Sequence, residues 1–116
     1  MTHRIVPIVP ARDMEASTAF YGRLGLELVS DWGDYRLLSD GRGMDLHLTR
    51  TEGWPARVED NPLGLYLYVE DVDAAADRVR ELILAPHGPE LKPWGCYEFA
   101  LSDPVGTLVR VGRVVG

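Results

Sequence analysis

Few side chains in this chain can do chemistry, and their types and spacing favour recognition over reaction. Three histidines (His3, His47, His87) and one cysteine (Cys96) are scattered along it. Ser17, Ser30, Ser39 and Ser102 have no His/Asp partner at a spacing that builds a nucleophilic triad, and no local motif couples Cys96 to a histidine. Gly41-Arg42-Gly43 lies between two strand-like runs and reads as a hairpin turn, not a phosphate-binding loop. Glu98 could act as a general base, but an acid on a strand more often meets solvent or a ligand. A recognition set remains. Trp32, Trp54 and Trp94 fall in loops or at strand ends, with Asp31, Asp34, Asp45 and Glu98 as acids that could accompany them. Flat indoles stack on heteroaromatic rings, and carboxylates suit a cationic tail. The plainer alternatives are a packing anchor for each tryptophan and a solvated carboxylate for each acid.

The elements that must position these groups are clearest at Lys92–Val111, KPWGCYEFALSDPVGTLVRV. A Pro-Trp-Gly loop leads into an alternating strand, with Tyr97, Phe99 and Leu101 set against Glu98, Ala100 and Ser102. An Asp-Pro-Val-Gly turn follows, then a second strand. Pro104 presets the turn and Gly106 supplies its permissive position. The N-terminal stretch Pro7–Leu26, PIVPARDMEASTAFYGRLGL, predicts a short strand and then a helix capped by Asp13 and stopped at Gly25. Met14, Ser17, Phe20, Tyr21 and Leu24 would form its buried face.

The stretches ARDMEASTAFYGRLGL, GRGMDLHL and PELKPWGCYEFALSDPVGTLVRV cover nearly half of the chain. Together they resemble the vicinal oxygen chelate (glyoxalase/bleomycin resistance/dioxygenase) superfamily, and within it most closely the bleomycin-resistance, antibiotic-binding proteins. The Pro-Trp-Gly approach to the hairpin is the discriminating piece. The resemblance implies an α+β fold of two βαβββ modules, forming curved mixed sheets with a concave cleft.

Internal similarity points the same way. Arg12-Asp13-Met14-Glu15-Ala16 aligns with Glu70-Asp71-Val72-Asp73-Ala74, 58 residues on in a chain of 116. A second helix is expected from about Asp71 to Leu84. Strands are expected at Leu26–Val29, Tyr35–Leu38, Met44–Thr49, Tyr97–Leu101 and Thr107–Val114, with a weak one near Ile83–Pro86. The chain then reads as a single domain, 1–116, of two modules, about 4–49 and 63–114. An exposed loop at 50–62 would join them, two prolines and a glycine making it irregular.

Composition bounds the partners. Net charge is −6, with eleven arginines and one lysine and no basic cluster, which argues against nucleic acid. No run approaches a membrane span, and the N-terminus lacks a signal peptide's apolar stretch, so a cytoplasmic location is expected. A lone cysteine excludes an internal disulfide and reads as a small buried apolar residue.

The superfamily's enzymes hold a divalent metal with His and Glu ligands on the concave face. Carried onto this chain, the resemblance puts the four ligand positions at Val6, His47, Leu65 and Arg110. Only His47 offers a donor, and among the adjacent residues only Tyr66 offers even a poor one. His3 would need a strand shift of three, and His87 falls in a loop. If His47 faces the cleft, strand parity brings Asp45 and Thr49 with it. The cleft floor would then hold Val6, Ile8, Asp45, His47, Leu65, Leu67, Leu108 and Arg110. The chain thus reads as a non-catalytic small-molecule binder without cofactor or metal, a homodimer by resemblance, sequestering a bleomycin-like cationic glycopeptide. Its expected ligand contacts are Trp94, Trp32, Tyr35, Asp45, His47, Trp54, Glu98 and Arg110. The competing readings are a glyoxalase-like or dioxygenase-like metalloenzyme with relocated ligands, and a binder or sensor of an unrelated metabolite.

Overall fold

A computed structural model describes residues 3–54, 57–84 and 88–115. The chain divides into two compact units, Met1–Trp54 and Pro55–Gly116. In the first, β1 (Ile8–Ala11) leads to α1 (Met14–Arg23), then to β2 (Glu27–Asp31), β3 (Tyr35–Ser39) and β4 (Asp45–Arg50). The sheet order is β1-β4-β3-β2, with β1 parallel to β4 and the other pairs antiparallel. Asp13 caps α1 by accepting the Ala16 N–H at 3.1 Å. Beyond Leu24 the chain turns at Gly25, whose φ of 95° lies where a side chain would be strained. Met14, Ser17, Phe20, Tyr21 and Leu24 are buried, as the spacing predicts, and so are Val9, Leu38, Leu46 and Leu48 on one face of the sheet. Arg36 shares that face. Glu15 at 2.6 Å and Asp31 at 3.2 Å neutralise it, and hydrogen bonding to Glu15 raises its pKa despite burial.

The second unit repeats the plan. β5 (Gly64–Tyr68) leads to α2 (Val72–Arg78), then β6 (Glu90–Leu91), β7 (Cys96–Ser102) and β8 (Leu108–Val114), in the order β5-β8-β7-β6. Asp71 caps α2 by accepting the Ala74 N–H at 2.9 Å, the counterpart of Asp13. The α+β class, the two similar modules and their mixed sheets therefore match expectation. The Asp-Pro-Val-Gly turn is held from within. The buried Asp103 Oδ1 accepts the Val105 and Thr107 N–H groups, each at 2.9 Å.

Two expectations fail locally. The second helix stops at Arg78, not near Leu84, and a 3-10 turn, Arg80–Leu82, takes over. The β-branched Val79 is fully buried in a non-helical conformation, so its packing draws the chain out of the helix while the apolar spacing runs on. Ile83 makes only an isolated bridge to Leu101, and the fourth strand is instead Glu90–Leu91, paired with β7. Ala85, Pro86 and His87 lie outside the described residues. The described residues of the joining segment are largely exposed. The segment holds a 3-10 turn at Val58–Asp60, and the buried Asn61 donates to Val105 O at 3.3 Å and Thr107 Oγ1 at 3.2 Å. No helix among the described residues is long and apolar enough to cross a membrane.

Candidate ligand-binding site

Strand pairing fixes which side chains share the face of each sheet opposite the buried aliphatic residues, here called the open face. In the second unit β5 and β8 align Leu65 with Val109, Tyr66 with Arg110, Leu67 with Val111 and Tyr68 with Gly112. Val109 and Val111 are buried, so Leu65 and Leu67 belong to the core side. The expectation that Leu65 and Leu67 line the open face is therefore wrong by one residue. Tyr66 and Tyr68 stand there instead, their ring centroids 4.6 Å apart. The alternation Leu-Tyr-Leu-Tyr carried the signal: the purely apolar partner goes inward and the amphipathic one outward.

Glu98 lies on the same face of β7 and is only 2% exposed, so it is not a solvated carboxylate. Its Oε1 accepts the Trp94 indole N–H at 2.8 Å and the Tyr66 hydroxyl at 3.1 Å, and its Oε2 accepts from Arg110 at 3.4 Å. The Arg110 guanidinium also sits over the Trp94 ring, 5.6 Å from its centroid. Burial first, then hydrogen bonds to Cys96 and Glu98, pushes the Tyr66 phenol far above its ordinary range, so it stays a donor. Gly112 makes room for this cluster. A Cβ there would fall 2.5 Å from the Tyr66 hydroxyl and 2.6 Å from Glu98 Cβ. Trp94 is held by the turn between β6 and β7, where Lys92 N–H bonds Cys96 O at 2.8 Å and Gly95 N–H bonds Lys92 O at 3.0 Å.

The open face of the first unit is built from β1, β3 and β4. Leu46 and Leu48 point to the core, while Asp45, His47 and Thr49 alternate away from it, as strand parity predicts. The Tyr35 hydroxyl meets His47 Nδ1 at 2.7 Å, and Asp45 pairs with Arg4 at 2.5 Å. Trp32 lies 77% exposed in the turn between β2 and β3. Trp54 is partly buried beyond β4, with its carbonyl accepting from Arg12. The predicted residues thus gather into two groups, Trp94–Glu98–Arg110 and Tyr35–His47, with Asp45 two residues along β4 from His47. The Trp32 backbone N–H donates to Tyr35 O at 2.9 Å, but its indole stands exposed. Sequence reasoning missed Tyr66. The acids Asp31 and Asp34 are also paired, with Arg36 and Arg50.

These residues do not fit the metal of the superfamily's enzymes. The strand partner of His47 is Ile8, and that of Arg110 is Tyr66. One imidazole with Nδ1 already engaged, one phenol held protonated and one guanidinium are not a donor set for a divalent cation. Among the described residues no group of three or more His, Cys, Asp or Glu side chains is placed to hold a metal ion.

Fold and site together define a two-module α+β protein that presents an aromatic and polar open face from each module. Residues 3–111 match the Glyoxalase/Bleomycin resistance protein/Dioxygenase superfamily, and the chain belongs to it. It is 30% identical over 123 residues to a bleomycin resistance protein of Klebsiella pneumoniae, covering 96% of this chain and 92% of that one. It is similar to a bleomycin-binding protein solved in complex with bleomycin, with 28% identity and a TM-score of 0.81 over 97% of this chain and 98% of that one. It also resembles a bleomycin resistance determinant encoded on the transposon Tn5, with 26% identity and a TM-score of 0.82 at the same coverages.

Proposed function

We propose that the protein binds and sequesters a bleomycin-type antibiotic without transforming it. The observation that carries this reading is the likeness, over nearly the whole chain, to a protein solved with bleomycin bound. The site supplies suitable chemistry. Trp94 is 58% exposed, its N–H is engaged by Glu98 and one face of its ring by Arg110, which leaves the other face for a flat heteroaromatic ring. A chain of net charge −6 attracts a cationic ligand. The poor metal donor set among the described residues supports binding over metal-dependent catalysis. We further infer that one domain of two modules assembles as a cytoplasmic homodimer. The exposed apolar side chains Ile8, Val29, Tyr68, Leu91 and Val114 support association.

The test is titration of the intrinsic tryptophan fluorescence with bleomycin. Saturable quenching at one ligand per chain, with recovery of unmodified drug after denaturation, supports the proposal. No binding at tens of micromolar would transfer the site to an unrelated metabolite, and recovery of altered drug would make the protein an enzyme.

A further inference from the structure

The most unusual group on either open face is the Glu98 carboxylate. A buried anion is costly unless fully hydrogen-bonded, and this one takes donors from three directions: an indole, a phenol and a guanidinium. The sequence accommodates it at a specific place, because Gly112 leaves the space that any other side chain would take from Tyr66 and Glu98. At 2% exposure Glu98 offers a ligand almost no surface of its own. Its partner Trp94 is 58% exposed on a turn, where an indole without a fixed partner would sample several rotamers. The bond from Nε1 to Oε1 removes that freedom. The same carboxylate holds Arg110 where it covers one face of the ring.

We propose that Glu98 is the positioning residue of the Trp94 platform: its buried carboxylate fixes the indole's orientation and parks Arg110 on one face, so that a one-sided stacking surface exists before the ligand arrives. This deepens the binding reading above and rests on it only for the identity of the ligand. Binding then costs less side-chain ordering, the general benefit of a preorganised site. It also sets a preference. A planar ring enters on the uncovered face, and a cationic group next to Trp94 is disfavoured by Arg110.

The experiment compares indole N–H exchange in the 15N-labelled full chain. Trp94 is assigned by the signal lost in Trp94→Phe, and Trp32, at 77% exposure, is the internal reference. In the wild type the Trp94 N–H should exchange at least about tenfold more slowly than that of Trp32, the factor expected for a hydrogen bond of ordinary net strength. Glu98→Gln keeps an acceptor oxygen for the indole and should keep the Trp94 exchange rate within about threefold of the wild type, a difference smaller than one such bond. Glu98→Ala should bring Trp94 exchange to the Trp32 rate and weaken bleomycin binding by about tenfold. In the Trp94→Ala background it should weaken binding no further, because the two residues act as one unit. A purely structural role would lower the melting temperature and leave indole exchange unchanged. Equal exchange of Trp94 and Trp32 in the wild type would overturn the proposal, as would additive losses in the double variant. If Glu98→Ala does not fold, the wild-type comparison and Glu98→Gln still decide. If the wild type binds no bleomycin, the ligand assignment falls and the exchange comparison alone decides the orientation.

Discussion

Trp94 is committed on one side and available on the other, and this asymmetry sets what its loss should do. Stacking of a planar ring on an aromatic side chain contributes about 1–3 kcal/mol, by analogy with base–aromatic stacking. Trp94→Ala should therefore weaken bleomycin binding by roughly ten- to a hundredfold, with the far-ultraviolet spectrum unchanged. Fluorescence titration checks this, and equal affinity would move attention to Trp32 and Trp54. Tyr66 makes a second prediction, in pH. Its folded pKa is raised, by burial first and then by Cys96 and Glu98. An unfolded tyrosine titrates near about 10. Above that pH the unfolded chain releases a proton that the folded chain retains, so the stability contributed by Tyr66 is intact below about pH 10 and falls as pH rises. The gap between thermal melts of wild type and Tyr66→Phe should be constant below about pH 10 and narrow progressively above it; a gap that stays constant above that pH would refute the assignment. His47, Trp94, Glu98 and Arg110 were legible in the sequence as residues of interest, but their roles were only partly so. That Glu98 is buried under three donors depends on side chains up to 32 positions away, which no local pattern encodes.

At the level of elements, the backbone signals were the readable ones. Asp13, Gly25, Asp71 and the Asp-Pro-Val-Gly turn act through neighbours a few residues away, and each stands where its chemistry predicts. The end of α2 was not readable, because the buried Val79 continues the helical apolar spacing after the helix has stopped. The parity of β5 was readable from its alternating tyrosines, but the ligand position that the resemblance put at Leu65 displaced it by one residue. The caps and turns carry a third prediction. Asp71→Ala removes the side-chain cap of a helix only seven residues long and should cost about 1 kcal/mol. Asp103→Ala leaves two buried N–H groups without their acceptor and should cost more, about 1–3 kcal/mol. Urea unfolding of both variants tests that order, and a reversed order would mean that the turn satisfies itself in another way.

At the scale of the whole molecule, association and charge govern behaviour in solution. Light scattering at micromolar concentration should give the mass of two chains of 12.9 kDa; a monomer there would remove the homodimer from the proposal. Long-range attraction between an acidic chain and a cationic drug should be screened as the Debye length shrinks from about 10 Å at 0.1 M salt to about 3 Å at 1 M. Affinity for bleomycin should accordingly fall with added sodium chloride, and affinity that is flat across that range would assign binding to stacking alone. Elemental analysis of protein purified without chelator should find less than about one transition metal per chain, since one imidazole does not hold such an ion against water. A stoichiometric metal lost in His47→Ala would instead favour an enzyme.

The two sheets share one strand order, and positions 58 residues apart, Ile8 and Tyr66, occupy equivalent places beside His47 and Arg110. Backbone hydrogen bonds carry the strand ladders, so their register does not depend on which side chains decorate the open face. One copy of the unit displays an aliphatic residue and an imidazole where the other displays a phenol and a guanidinium, on the same scaffold. Such a duplicated frame is inherently evolvable: it can exchange its recognition chemistry without renegotiating its core. A combinatorial library over Ile8 and His47 in the first unit, or over Tyr68 and Leu108 in the second, should therefore be rich in folded proteins, and selection from either should yield variants retargeted to planar compounds chemically unlike bleomycin.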